Sequence, residues 1–376
     1  MDEMLRRLRF PVQQSRGRRY PELPHPYRNE FRRDRDRIVH ARAFRRLENK
    51  TQVFPPGVSD HFRNRLTHTL EVSQIAGTVA AVLQLDEDLT QALALAHDIG
   101  HPPFAHAGEE ELNAEMERFG DHFDHNIHAL RIVEQFERRY ARFPGLNLTF
   151  EVREGMAKHS RDFEPGEIPE LDQYLPGLRP PLEAQIIDLA DEIAYNTADL
   201  DDAYSAGLIG AGEISREVPQ YAELREIIEG QYPGATQRVQ FHETLRALID
   251  RLVSGLITGT AAAAAEAGVE DIEGVRRHPH RLVSMTADVR AANAALKQFL
   301  LRYVYQSETV RTERDNTGGM ISRLFRFYIE DPARLPESSR EQLDELPAHR
   351  VVCDYVAGMT DTYLLRTYEQ VFAKAE

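Results

Sequence analysis

The stretch LTHTLEVSQIAGTVAAVLQL (66–85) decides the fold class. Its apolar residues Leu66, Leu70, Val72, Ile75, Ala76, Val79 and Val82 recur at intervals of three and four, the period of one helix face, so the spacing predicts a buried helix. The same periodicity returns near 88–98, 123–140, 179–206, 237–257, 280–304 and 349–373. Nowhere do apolar and polar residues alternate for more than a few positions, as a half-buried strand requires. The expected fold is all-α, a helical core with N- and C-terminal helical elaborations. Breaks fall at Pro55-Pro56-Gly57, Pro102-Pro103, Pro144-Gly145, the stretch 165–181 and Pro332 to Pro336, and none has the length of an interdomain linker. The run Ala261–Ala265 favours helix, and there is no internal repeat. One unit in three parts is therefore expected: a basic N-terminal arm (1–60) packed on a core (61–210), and a helical C-terminal part (211–376) of the same unit.

With 376 residues, 41% of them hydrophobic and 28% charged, the chain can bury a large core. No apolar run approaches the roughly 20 residues needed to span a bilayer, so no membrane role is expected. The Arg-rich N-terminus has no continuous apolar segment of the secretory kind, and the expected location is the cytoplasm. The single cysteine, Cys353, excludes an intrachain disulfide and a thiolate-rich metal site, so a metal would have to use His and carboxylate. The net charge of -15 hides an asymmetry, because residues 1–50 carry fifteen Lys/Arg against seven Asp/Glu. Such an arm meets a phosphorylated ligand or nucleic acid, or is paired to acidic neighbours or another subunit.

The residues that carry chemistry lie on the periodic segments. His68 sits in the first helix, His97-Asp98 closes ALALAHDIG (92–100), and Asp191 lies within AQIIDLADEIAYN (184–196), so three helices can converge on one ion. Singly, each residue reads as a capping Asp or a core His. Together they form a His/carboxylate set suited to divalent Mg, Mn, Fe, Co, Ni or Zn, an ion that activates water and neutralises phosphate oxygens. Gly100 and Pro102-Pro103 end the helix, and His106 then precedes Glu109 by three residues at the start of a new helix. A carboxylate on one imidazole nitrogen fixes the tautomer and raises basicity, as a proton-transferring His requires. The structural alternative is a helix-start Glu favoured by the macrodipole. Tyr195 and Asp199, four and eight residues after Asp191, share its helix face.

The order of His68, His97, Asp98 and Asp191 resembles the H…HD…D pattern of the HD superfamily, which implies an HD-domain helical core. Four blocks extend the resemblance: RDRDRIVHARAFRRLENKTQVF (33–54), HDIGHPPFAHAGEEELN (97–113), DEIAYNTADLDDAYSAG (191–207) and DYVAGMTDTY (354–363). They are similar to the deoxynucleoside triphosphate triphosphohydrolases, the bacterial dGTPase-like family, almost end to end. The quartet alone also fits cyclic-nucleotide or alarmone phosphodiesterases.

The resemblance implies metal-dependent hydrolysis of dNTPs to deoxynucleoside and inorganic triphosphate by attack on the α-phosphorus. It makes His68, His97, Asp98 and Asp191 the metal ligands. It makes His106 and Glu109 catalytic, either deprotonating the water or protonating the leaving oxygen. Arg65, His101 and His125 would contact phosphate, with His122 and His128 as close neighbours of the last. Tyr195 would pack on the sugar and Asp199 accept from its 3′-OH, with Gln52 nearby, and a close Tyr at the 2′ carbon would exclude ribose. Glu192 departs from relatives that place a phosphate-binding Lys there. Lys158, Arg311, the arm at 28–46 or another subunit's arginine are the replacements to consider, and His159 is a pocket or structural residue.

A homo-oligomer, tetramer or hexamer, is also implied. So are a second dNTP acting as activator near the Arg-rich block and C-terminal helices, and weak binding of single-stranded nucleic acid. The competing readings are an HD phosphohydrolase of nucleoside monophosphates or phosphodiesters, and a non-catalytic nucleotide- or nucleic-acid-binding regulator.

Overall fold

The computed structural model describes residues 2–53 and 62–372; the expected break at Pro55-Pro56-Gly57 and the boundary at 60/61 lie outside the described residues. Among the described residues 69% are helical and 2% are in strands, so the fold is all-α. Its centre is an antiparallel pair, Arg65–Val82 and Glu87–Ala96, with the long helix Leu182–Ser205 packed on both. Asn64 opens the first helix through a reciprocal capping box with Thr67, and Asp86 caps the second by accepting from Leu89 N.

The first helix turns a different face inward from the one its apolar residues suggest. Its buried stripe is Arg65, His68, Thr69, Val72, Ile75, Ala76 and Val79, while Leu70 and Val82 are 51% and 55% exposed. The buried phase admits polar residues at its N-terminal end because that end faces a cavity rather than packed core.

The other helical readings hold with shifted ends. The segment near 280–304 becomes the helix Ala287–Leu300 followed by a π-turn at Leu301–Tyr305, and 349–373 divides into Ala348–Ala357 and Asp361–Phe372. The 237–257 pattern extends through the alanine run to give Gln237–Ala267, closed by left-handed Gly268. By length and composition this helix could cross a membrane, with a mean hydropathy of 1.3 over its most apolar window. It is instead mostly a core helix. Phe241, Leu245, Leu248, Leu252 and Leu256 are buried, and a Cβ at Gly255 would lie 2.6 Å from Val289 Cβ on the neighbouring helix Ala287–Leu300.

Two apolar clusters hold the chain. The larger takes in the arm, the central helices and the segments up to Val304. The smaller joins Phe104, Leu112 and Met116 to Ile321, Leu324 and Phe325 of the helix Glu308–Glu330 and to Val351, Val352 and Val356. The helix Ala105–Glu117 therefore belongs to the second cluster.

The basic arm is largely neutralised within the chain. Its helix Glu30–His40 packs on Glu87–Ala96. Arg18 pairs with Glu30 at 2.7 Å and also with Asp34; Arg33 meets Glu30 at 2.9 Å, Arg37 meets Glu22 at 2.8 Å, and Arg32 and Arg35 share Asp88. Arg33 and Arg37 thus support the fold, and a triple replacement of Arg33, Arg35 and Arg37 would perturb packing before any activator contact.

Candidate active site and metal centre

The three central helices bring His68, His97, Asp98 and Asp191 to one point. The candidate ligand atoms of His68, His97 and Asp98 lie within 4.8 Å of one another. Asp191 Oδ1 is 2.8 Å from His68 Nε2 and 3.8 Å from His97 Nε2. Three observations fit a divalent ion here. His97 Nδ1 donates to Ala94 O at 2.6 Å, which leaves the lone pair on Nε2. That Nε2 and Asp98 Oδ2 are buried without a hydrogen-bond partner. Finally, two imidazoles and two carboxylates are a donor set that such ions accept.

The charges are balanced with care. Burial opposes ionisation of Asp98, yet Arg65, His97 and His101 hold its carboxyl well below the usual range. Burial likewise opposes Asp191, but His68 draws it down to about 2. Burial alone would lower His68; the hydrogen bond and charge of Asp191 more than offset this and raise it. Arg65 Nη1 lies 2.8 Å and His101 Nδ1 2.9 Å from Asp98 Oδ1, so one carboxylate anchors two candidate phosphate contacts.

A cavity of about 580 Å³ opens over this point. Gln52, Arg65, His68, Asp98, His101, His106, His125, Asp191, Tyr195 and Asp199 all line it, whereas His97 and Glu109 stand behind the wall. Glu109 accepts from His125 Nδ1 at 2.7 Å and His125 N at 3.0 Å, and reaches His106 Nδ1 at 3.4 Å. The sequence pairs Glu109 with His106; in the fold it orients both imidazoles and holds His125 the more closely. Burial opposes ionisation of Glu109, but its hydrogen bonds to His106 and His125 keep it well below the usual carboxylate range. His101 stacks on His125 with centroids 4.1 Å apart, and burial beside Arg65 keeps it neutral. His106 is 75% exposed at the mouth. His122 is exposed, and His128 is buried with Nδ1 on Gly100 O, so of the three neighbouring histidines it is His125 that faces the cavity.

Tyr195, Asp199 and Tyr305 form a further part of the cavity wall. Tyr305 donates to Asp199, whose carboxyl burial pushes up to about 7 despite that bond. Sequence reading missed Tyr305, which sits at the end of the π-turn that rotates it inward. It also missed Lys297, whose ammonium lies 3.2 Å from Glu192 and 5.9 Å from the centre of the Tyr195 ring. Of the residues considered as replacing the Lys at position 192, Lys158 is buried on Glu154 at 3.0 Å and on the carbonyls of Leu175 and Leu178. Arg311 is exposed and does not line the cavity. His159 does line it, with Nδ1 2.8 Å from Asp188 and its ring against His97.

Comparison with known proteins gives the family. Residues 65–196 match the HD domain and residues 283–370 the phosphohydrolase-associated domain. The chain is 44% identical over 363 residues to a deoxyguanosinetriphosphate triphosphohydrolase-like protein of Geobacter sulfurreducens, covering 96% of this chain and 93% of that one. The chain belongs to this family of HD phosphohydrolases. Similarly named proteins of Ralstonia nicotianae and Azoarcus sp. are each 44% identical over 96% of this chain and 92% and 95% of theirs. A solved structure, a hypothetical protein from Aquifex aeolicus, aligns with 16% identity and a TM-score of 0.31 over 81% of this chain and 79% of that one, too low to bear on the fold. In this dGTPase-like HD phosphohydrolase the HD match ends one residue after Tyr195, so Asp199, Tyr305 and Lys297 lie outside it.

Proposed function

We propose that this protein hydrolyses deoxynucleoside triphosphates, dGTP among them, to deoxynucleoside and inorganic triphosphate. The observation that carries the reading is that one cavity is lined by His68, Asp98 and Asp191 of the quartet, by His106 and His125, which Glu109 orients from behind, and by Tyr195, Asp199 and Tyr305. His68, His97, Asp98 and Asp191 would hold a divalent ion such as Mg, Mn, Fe, Co or Ni, which supplies Lewis acidity toward the α-phosphate and its attacking water. Arg65, His101 and His125 line the cavity beside that centre, where they would meet phosphate oxygens.

Water oxygen bonds to the α-phosphorus, the bond to the 5′ oxygen breaks, and that oxygen takes a proton. His106, oriented by Glu109, either removes the water proton or delivers the one the leaving oxygen needs. Asp199 would accept from the 3′-OH, with Gln52 alongside, and Tyr195 close to the 2′ carbon would leave no space for a ribose hydroxyl. Lys297 does not itself line the cavity, but Glu192 holds it beside Tyr195, which does, and it is our choice for the cation that position 192 itself lacks.

The expected oligomer and activating nucleotide remain part of this reading. A second cavity, about 490 Å³, is lined by Arg42, Arg46, Arg138 and His128 between the Arg-rich block and the C-terminal helices, where such an activator was expected. The test is to incubate metal-loaded protein with each dNTP, alone and in mixtures, and to identify the products, with Asp98→Ala as control. Release of triphosphate from dGTP is expected. Phosphate released only from nucleoside monophosphates would favour the alternative HD phosphohydrolase reading instead.

A further inference from the structure

The block DYVAGMTDTY (354–363) has no part in the chemistry above, although its last helix, Asp361–Phe372, begins with a charged residue that has no exposed surface. Asp361 is fully buried. One carboxylate oxygen, Oδ1, accepts from Phe104 N at 3.0 Å; the other, Oδ2, accepts from Thr51 N at 2.7 Å and from the Thr51 hydroxyl. Lys50, equally buried, donates to the carbonyls of His101 and Ala357, the latter at 3.3 Å. Three chain segments remote in sequence, 50–51, 101–104 and 357–361, therefore meet at one carboxylate and one ammonium.

Two of these segments, 50–51 and 101–104, lead directly into the cavity. Thr51 is followed by Gln52, and the Lys50 carbonyl accepts from Arg65 N at 3.1 Å, so this segment fixes the sugar-side wall and the start of the His68 helix. The segment 101–104 carries His101 and turns into the helix of His106 and Glu109. That turn is strained: Phe104 and Ala105 both have left-handed backbone, at φ 58° and 57°, and no side chain caps the helix. The Phe104 amide instead points to Asp361.

We infer that Asp361, supported by Lys50, is a positioning residue that holds the strained turn at Phe104 and so sets the separation between Gln52 and His106. It touches no substrate. The inference rests on the proposed hydrolysis for its kinetic consequence, while its structural consequence stands apart from it.

The experiment compares wild type, Asp361→Asn, Ala105→Gly, the double variant and Thr51→Val, all in the full chain loaded with Mn. Hydrogen exchange over residues 98–112 is the first readout, because it needs no activity. Asp361→Asn should raise exchange at the Phe104 amide at least tenfold and leave the helix Arg65–Val82 protected. The kinetic readout is dGTP hydrolysis, where kcat should fall at least tenfold with KM within threefold and bound Mn unchanged. Glycine adopts the left-handed backbone freely, so Ala105→Gly should restore kcat in the Asp361→Asn background by threefold or more, a rescue that general destabilisation would not give. Thr51→Val removes only the hydroxyl bond and should lower kcat by a smaller factor; it serves if Asp361→Asn does not fold.

Unchanged exchange at Phe104 would overturn the inference, as would a kcat within twofold of wild type in both Asp361→Asn and Thr51→Val. Faster exchange at Phe104, together with no dNTP hydrolysis by wild type, would uphold the tether and sink the proposed function instead.

Discussion

Gly100, between Asp98 and His101, has no room for a methyl group. Its backbone does not need glycine's left-handed freedom; the constraint is close approach. A Cβ built there would lie 2.6 Å from Ala129 N and 2.8 Å from Ala129 Cβ, and nearer still to His125 O. Ordinary contact begins at 3.4 Å. Gly100→Ala must therefore move the metal-bearing turn about 0.8 Å from Ala129 N and more than 1 Å from the nearer His125 O, and these opposing atoms are backbone that cannot swing aside. The displacement falls on His101 and His125, which stack at 4.1 Å, and on the bond from His128 to Gly100 O. Overpacking of this kind costs about 1–3 kcal/mol of stability, and misplacement by around 1 Å lowers turnover on the order of 10²-fold. Denaturant unfolding and single-turnover dGTP hydrolysis measure the two effects. Gly230→Ala, where a Cβ meets nothing within 4 Å, is the control, and should be neutral or stabilising by up to about 1 kcal/mol. Wild-type turnover in Gly100→Ala would refute the claim that the close approach sets the site.

Asp98→Ala should abolish hydrolysis and lower bound divalent metal by elemental analysis, since it removes a ligand and frees Arg65 and His101 together; chelation of wild type should lower both activity and the unfolding midpoint. Lys297→Ala should raise KM for dGTP roughly tenfold, on the order of 1.4 kcal/mol, with a much smaller effect on kcat, and an unchanged KM would remove Lys297 from the phosphate site. Glu183 offers a pH test outside the site. Burial raises its carboxyl to about 7, only partly offset by the bonds it accepts from Phe10 N and Asp86 N. Because the folded value lies above the unfolded one, its contribution is full below about 4.5 and is lost as pH rises through about 7. Glu183→Gln should therefore gain stability relative to wild type across that window, on the order of 3 kcal/mol in total; parallel pH profiles in unfolding measurements would contradict this.

The quartet was legible in sequence because its residues sit at fixed places on strongly periodic helices. Their convergence needs only that those helices pack, as their apolar faces require. The phase of the His68 helix was not legible from apolar residues alone. Leu70 and Val82 match the period but not the buried stripe, because a stripe that faces a cavity carries Arg65, His68 and Thr69 in place of leucines. Tyr305 and Asp199 are separated by 106 residues and meet through a π-turn, a local irregularity with no periodic signature. Lys158 was readable after all: Glu154 stands four residues before it, the spacing of a helical ion pair, and the two are buried together. The arm's arginines find carboxylates on other segments, Asp88 among them, and a count of charges cannot assign such pairs.

The division between the two apolar clusters gives the phosphohydrolase-associated segment a physical reason to accompany the HD domain. The metal ligands stand on helices of the larger cluster, whose buried members end at Val304. His106 and Glu109 stand on Ala105–Glu117, whose apolar side, Leu112 and Met116, packs against Ile321, Leu324 and Val352. The proton-transfer helix is thus built on a different foundation from the metal, and its register against the metal centre must be set where the two meet. Only short connections span that boundary in the chain itself, and the turn at 101–104 is strained. Lys50 and Asp361 tie the turn to both sides at once, and the hydrogen bonds of Arg46 to Gly358 O and of Arg131 to Asp354 add further links from the core to the same C-terminal block. A chain cut between 305 and 348 would retain the quartet but lose the support of His106, and should bind metal without hydrolysing dGTP.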